Sequence, residues 1–100
     1  MSEQEIRKQL LLAGIVLYAV STYGKDAATA NELDHANQWT EKIEQIGSLG
    51  IQKVVKMRML VNPLTQQPVF SWRYIATTLG ISHPVAETRF NKGLSALAVL

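Results

Sequence analysis

An unbroken apolar run of eleven residues, LLLAGIVLYAV at positions 10–20, is the feature that most constrains the fold of this chain. Crossing a bilayer core takes about 20 apolar residues, so the run is too short to span a membrane. Two glutamates precede the first basic residue of the chain, which is not the pattern of a secretory signal. The run therefore predicts a helix from about Glu3 to Thr22 that is buried on most sides, in the core of a small bundle or between copies of the chain.

Length and composition favour one small folded domain. The chain has 100 residues, of which 47% are hydrophobic and 18% are charged. This is too apolar for a disordered chain and too short for more than one sizeable core. The chain contains no cysteine, which excludes disulfide bonds and thiolate metal sites and suits a reducing cytoplasm.

The rest of the sequence predicts further helices and no convincing strand. Gly24 interrupts the first helix, and Asp26 is the predicted N-cap of a second helix that runs to about Ile46. A third helix is expected over IQKVVKMRML, residues 51–60. Residues 62–70 contain two prolines and predict a loop, with a short hairpin as the alternative. We therefore expect an all-α fold, a small helical bundle.

Charge is distributed unevenly along the chain. Residues 1–50 carry four basic and seven acidic side chains, whereas residues 51–100 carry six basic side chains and one acidic side chain. The first half is therefore net acidic and the second half net basic. A contact with a polyanion, if there is one, is expected in the second half.

The stretch SWRYIATTLGISHPVAETRF, residues 71–90, predicts two short helices joined by a tight turn. Ser71 is a candidate N-cap for a helix over residues 72–79, and Gly80 suits the turn that follows. Ser82 can cap the second helix, with Pro84 in its first turn, where a missing N–H group has no cost. Apolar residues then follow at spacings of four, four and three, which predicts a buried stripe: Ala86, Phe90, Leu94 and Leu97.

This arrangement resembles the helix-turn-helix of region four of sigma factors and of small phage or prophage DNA-binding proteins. The resemblance covers residues 70–97 and is carried by Ile75, Ala76, Leu79, Gly80, Ile81, Ser82, Ala86 and Phe90. Ala86 departs from the pattern, because such motifs more often have valine or isoleucine there. The resemblance implies a C-terminal helix-turn-helix over residues 71–100, after a helical and oligomerising part (1–61) and the loop, within one compact domain. The resemblance also implies that the protein is located in the cytoplasm of a bacterial or phage-infected cell.

The same resemblance implies double-stranded DNA as the partner, with the helix over residues 83–97 in the major groove. The candidates for contacts to bases are then Ser82, His83, Glu87, Thr88 and Asn91. The candidates for contacts to phosphates are Arg73, Arg89 and Lys92, extended by the basic residues Lys53, Lys56 and Arg58. Each of these residues also has a simpler interpretation as solvated surface.

Two functional hypotheses follow. The first is a sequence-specific DNA-binding protein, a transcriptional regulator that forms a homo-oligomer through the apolar helix at 6–20. The alternative is a protein-interaction module of the same fold, associated with RNA polymerase or acting as a phage packaging adaptor, without its own DNA contact. Both hypotheses share the fold and differ in the role of the basic half.

An enzymatic function is not indicated by the sequence. His35 and His83 lie far apart, and no carboxylate pair or metal-ligand spacing accompanies either of them. There is also no glycine-rich phosphate loop. We expect no enzyme, no metal and no cofactor, and we expect Trp39 to lie in the core or an interface rather than to stack on a ligand.

Overall fold

The computed structural model describes residues 1–100 and shows five α-helices without a β-sheet, which confirms the all-α prediction. No helix has the length and apolarity that a bilayer-crossing segment requires. A 3-10 turn at Lys25–Ala27 separates the first two helices. In chain order the helices are α1 (Glu3–Tyr23), α2 (Ala30–Glu44), α3 (Leu49–Met59), α4 (Trp72–Leu79) and α5 (His83–Ala98).

Helix α1 is the predicted apolar helix, and the chain's own core buries most of its apolar surface. It packs against α2, α3 and α5. Leu11 and Leu12, on the opposite side of α1, remain 44% and 46% exposed. The apolar run is thus explained mainly by packing within one chain. The buried residues of α1 are Ile6, Leu10, Ala13, Gly14, Val16 and Ala19.

The start of α2 differs from the sequence prediction. The N-cap is Thr29, whereas Asp26 lies in the 3-10 turn, so the prediction of Asp26 as the cap was wrong. Thr29 and Glu32 form a capping box: the Glu32 N–H donates to Thr29 Oγ1 at 3.1 Å, and the Thr29 N–H donates to Glu32 Oε1 at 2.8 Å. The hydrogen bond that the Glu32 carboxylate accepts from the Thr29 backbone N–H, followed by its hydrogen bond with the Thr29 side chain, lowers the pKa of Glu32. Two reciprocal hydrogen bonds satisfy more helix-end donors than a lone aspartate does, which explains the later start.

The C-terminal part of α2 contributes to the core, where Trp39 was expected. Trp39 and Ile43 are buried in the core, as expected for a bulky aromatic residue on an amphipathic helix. Helix α3 begins at Leu49, two residues before the predicted start, because the Ser48 side chain accepts a hydrogen bond from the backbone N–H of Ile51. A serine cap therefore sets the boundary that apolar periodicity alone placed later.

Residues 62–70 form the predicted loop, closed at its base. Val61 and Pro68 make a single antiparallel bridge, and the Asn62 N–H donates to the Gln67 carbonyl oxygen at 3.0 Å. Of the short hairpin that was the alternative prediction, only this one isolated bridge is therefore present. At the tip, Leu64 is 81% exposed.

Helices α4 and α5 have the boundaries that their cap residues predict. Ser71 and Ser82 accept hydrogen bonds from the backbone N–H groups of Tyr74 and Val85, respectively. Gly80, between the helices, adopts the left-handed conformation with φ 67°. The predicted stripe of α5 is buried: Ala86, Phe90, Leu94 and Leu97.

Two glycines let α1 and α5 approach α3 closely. A Cβ atom on Gly14 of α1 would lie 1.7 Å from the carbonyl oxygen of Met59. A Cβ atom on Gly93 of α5 would lie 2.5 Å from Cγ2 of Val55. Only glycine therefore permits both crossings at the observed separation, and α3 is held between the other two helices.

We predict that Gly14→Ala destabilises the fold by about 2–3 kcal/mol, even though alanine is the better helix former. The reason is that the backbone of α3, rather than a flexible side chain, lies in the space that the new methyl group would occupy. Urea denaturation followed by circular dichroism measures the change. Gly47→Ala is the matched control, because nothing lies within 4 Å of a Cβ atom there, and equal stability of the two variants would contradict the prediction.

Candidate nucleic-acid interface

The N-terminal half of α5 presents an uncovered face. All five residues predicted to contact bases are exposed: Ser82, His83, Glu87, Thr88 and Asn91. Thr88, Lys92 and Ser95 are exposed at spacings of four and three along the side of the helix away from its buried stripe. The structure therefore brings the predicted base contacts onto one helix, accessible from solvent.

Four of these residues also have intramolecular partners, and three of the four lie at the start of α5. The Ser82 hydroxyl caps α5, as described above. His83 Nε2 lies 3.2 Å from Glu87 Oε1, one turn further along. The His83 ring also stacks on Trp72 of α4, with a centroid separation of 6.3 Å. The first turn of α5 is thus held in place by side-chain contacts while its outer atoms stay accessible.

Asn91 is accompanied by an arginine that the sequence did not indicate. Arg7 Nη2 donates to Asn91 Oδ1 at 3.4 Å, and the same guanidinium lies 5.7 Å from the ring centroid of Phe90. Arg7 belongs to the acidic half of the chain, 84 residues away in sequence. No local pattern could have indicated this contact, which depends on how α1 and α5 pack.

The predicted phosphate contacts near α5 differ in accessibility. Arg73 on α4 and Lys92 on α5 are exposed. Arg89 is half-buried, and its Nη1 lies 3.0 Å from the place where a Cβ atom on Gly50 would be. Arg89 thus lies against the first turn of α3, with part of its side chain open to solvent.

The basic residues of α3 are less free than their sequence suggests. Lys53 is exposed, but Lys56 forms an ion pair with Glu44 at 3.0 Å. Arg58 Nη1 donates to the Phe70 carbonyl oxygen at 3.1 Å, and its guanidinium lies 4.3 Å from the ring centroid of Trp72. For Lys56 and Arg58, contacts within the protein therefore compete with the predicted contacts to phosphate.

Burial also affects Arg58 electrostatically. Partial desolvation lowers the pKa of its guanidinium, and the negative charge of Glu87 on α5 acts in the opposite direction. Arg58 remains charged at neutral pH, because an arginine pKa starts far above 7. It therefore connects the end of α3, the end of the loop and α4 through one cation.

The other histidine has a structural partner. His35 Nε2 lies 2.6 Å from Gln9 Oε1, between α2 and α1, and not against the adjacent Asp34. The structure brings no three histidine or carboxylate side chains together in an arrangement that could hold a metal ion.

A groove of about 430 Å³ lies beside α5. We call it the arginine groove, because Arg7 of α1 and Arg58 of α3 both line it. Its remaining lining combines apolar side chains of α1, α3, α4, α5 and the bridge residue Val61 with two polar residues of α5. These residues are Leu10, Leu11, Met59, Val61, Trp72 and Phe90, together with Glu87 and Asn91.

Comparison with protein-family models, with curated proteins and with solved structures finds no match. The function of the α5 surface is therefore inferred from its geometry and chemistry.

We predict that Arg58→Met destabilises the protein by about 1–2 kcal/mol, because it removes a charge-assisted hydrogen bond and a cation–π contact. Lys53→Met, which removes an exposed charge from the same helix, is expected to change stability by less than about 0.5 kcal/mol. Urea denaturation of both variants measures the difference. If both variants are as stable as the parent, Arg58 does not anchor α4, and its charge is free for an external partner.

Proposed function

We propose that this chain is a sequence-specific DNA-binding protein of the bacterial or phage helix-turn-helix type. In this proposal α5 enters the major groove and α4 lies across the adjacent backbone. The observation that carries it is the uncovered N-terminal half of α5, which the Ser82 cap and the left-handed Gly80 hold at a fixed turn after α4. A rigid exposed helix of this kind fits the width of the major groove.

The chemistry of the exposed face suits base recognition. Asn91 can pair with adenine, since its amide nitrogen is free and its oxygen retains a second lone pair beside Arg7. Glu87 can accept a hydrogen bond from the amino group of cytosine, and the Thr88 methyl group can contact thymine. Ser82 and His83, at the start of the helix, complete the proposed contacts to bases.

Cations flank this face on more than one side. Arg73 of α4 and Lys92 of α5 are exposed, and Arg7 adds a charge from α1. We propose that these residues contact phosphates, together with Arg89 and the exposed Lys53. Such contacts position a protein on DNA without reading its sequence. A protein of this type acts as a transcriptional regulator when its site overlaps a promoter.

Selection from a random-sequence duplex pool at two salt concentrations tests the proposal. The expected result is a recovered sequence motif, with affinity that falls steeply as salt rises. Lys92→Ala is expected to weaken binding by about tenfold at 0.1 M salt and to reduce the salt slope by about one, because one phosphate contact is lost.

Lys25→Ala is the matched control, because Lys25 is an exposed lysine at the end of α1 that lies away from α5. Lys25 follows the C-terminal end of α1, whereas α5 contacts Arg7 near the N-terminal end of that helix. It should bind the selected site like the parent protein. Absence of any enriched sequence, or equal losses in both variants, would contradict the proposal. The protein-interaction module without DNA contact would then be the better hypothesis.

A homo-oligomer is a second part of the proposal. Leu11 and Leu12 remain about half exposed on α1, next to the partly exposed Ile15, and this patch is available to a second copy of the chain. The patch is small compared with the ~800 Å² per partner of a standard stable interface. We therefore expect an association that depends on protein concentration.

Leu12→Glu is expected to shift the protein to monomer in sedimentation velocity experiments, because it would place a charge in the patch. Leu49→Glu, at a 71% exposed leucine of α3, is the control and should associate like the parent. A parent protein that stays monomeric at all concentrations, or equal behaviour of both variants, would exclude this patch as the interface.

A further inference from the structure

We propose that the arginine groove binds a small organic anion, with its carboxylate between Arg7 and Arg58 and its apolar body on the floor formed by Phe90 and Met59. This assigns a ligand site to a groove that shares Arg7, Glu87 and Asn91 with the proposed DNA-binding face. The ligand class is a monocarboxylate with an apolar body. The volume of about 430 Å³ lies in the range of small-molecule sites, which is ~300–1,000 Å³.

The two guanidiniums are the first step of the inference. Neither forms an ion pair with a carboxylate of the protein, since the ion pairs of the structure are Lys56 with Glu44 and His83 with Glu87. Arg7 donates only to an amide oxygen, and Arg58 only to a backbone carbonyl oxygen. Each therefore keeps several N–H donors without a protein acceptor, and a carboxylate is the acceptor that matches their planar fork.

Aromatic rings hold both arginines at the groove. The Arg58 guanidinium lies over the Trp72 ring, 4.3 Å from the ring centroid. The Arg7 guanidinium lies over the Phe90 ring, 5.7 Å from the ring centroid. Stacking on a ring face leaves the edge of a guanidinium, where its N–H groups are, free for a ligand. The donors are thus partly organised before a ligand binds, which reduces the entropy cost of binding.

The charge of the lining selects the charge of the ligand. Two arginines and Glu87 are the charged residues of the groove, which gives it a net charge of +1. A monoanion neutralises this charge, whereas a phosphate dianion would bring a second negative charge toward Glu87. The apolar lining, which includes Leu10 and Met59, favours an anion with an apolar body over free phosphate.

Titration of the ¹⁵N-labelled 100-residue protein with 2-naphthoate tests the inference. The Trp72 indole N–H and the Asn91 side-chain amide both belong to residues that line the groove, so their signals report on a bound ligand. We expect saturable shifts of both signals. Binding should be at least tenfold weaker for 2-naphthalenemethanol, which lacks the charge, and for inorganic phosphate, which lacks the apolar body.

Variants identify the residues that bind the anion. Arg7→Met should weaken naphthoate binding at least tenfold, whereas Lys8→Met, which removes the adjacent charge of α1, should leave it unchanged. Glu87→Gln should strengthen binding severalfold, because it removes the one negative charge of the groove. A gain of affinity cannot result from misfolding, so this variant keeps the test decisive if Arg7→Met is unstable.

Three results would overturn the inference: no saturable shift with naphthoate, equal affinity for the uncharged analogue or for phosphate, or equal losses in Arg7→Met and Lys8→Met. The titration contains no DNA, so its outcome is independent of the proposed DNA binding. Failure of the duplex selection would leave the ligand site standing, and the reverse also holds.

Discussion

The close packing of α1 and α5 against α3 is the constraint on which the rest of the structure depends. Gly14 meets the α3 backbone at Met59, and Gly93 meets the side chain of Val55. Because neither glycine has a side chain, both helices lie nearer to α3 than larger residues would permit. This proximity brings the first turns of α1 beside α5, where Arg7 reaches Asn91. The proposed DNA-binding face and the arginine groove both follow from this packing.

Helix α4 depends on fewer contacts, and a cation is central to them. It packs against α3 and α5 and makes no contact with α1. Trp72, in its first turn, lies between the Arg58 guanidinium and the His83 ring, and its edge meets Phe90 with a centroid separation of 5.5 Å. The position of α4 relative to α5 is thus set by Trp72 and the groups around it, together with the turn at Gly80 and the buried Ile75 and Ala76. Arg58 therefore has a structural role. A count of basic residues alone would instead assign it to a contact with DNA.

Local signals in the sequence predicted the helices well, because they act over a few residues. The caps at Ser71 and Ser82 and the buried stripe that begins at Ala86 follow from hydrogen bonds and periodicity within one helix. Asp26 was wrongly predicted as a cap because a capping box at Thr29 competed with it. The partners of Arg7 and Arg58 were unpredictable for a different reason. Periodicity shows which residues face inward, but it does not show which distant helix or loop they contact. The desolvation of the Arg58 guanidinium depends on those distant contacts.

The accessible charge of the chain has a consequence for the proposed function. Among the cations predicted or proposed to contact phosphates, Lys56 is paired with Glu44 and Arg58 lies in the arginine groove, so five exposed or partly exposed ones remain: Arg7, Lys53, Arg73, Arg89 and Lys92. Even if all five made contacts, the slope of log binding constant against log salt concentration would be about −4.5 for one copy. This dependence is much less steep than that of a large dimeric repressor. One recognition helix also reads only a few base pairs. Tight and specific binding at physiological salt therefore requires two copies of the chain on one DNA site. The association expected at Leu11 and Leu12 is weak, but DNA would strengthen it, because DNA holds both copies at high local concentration.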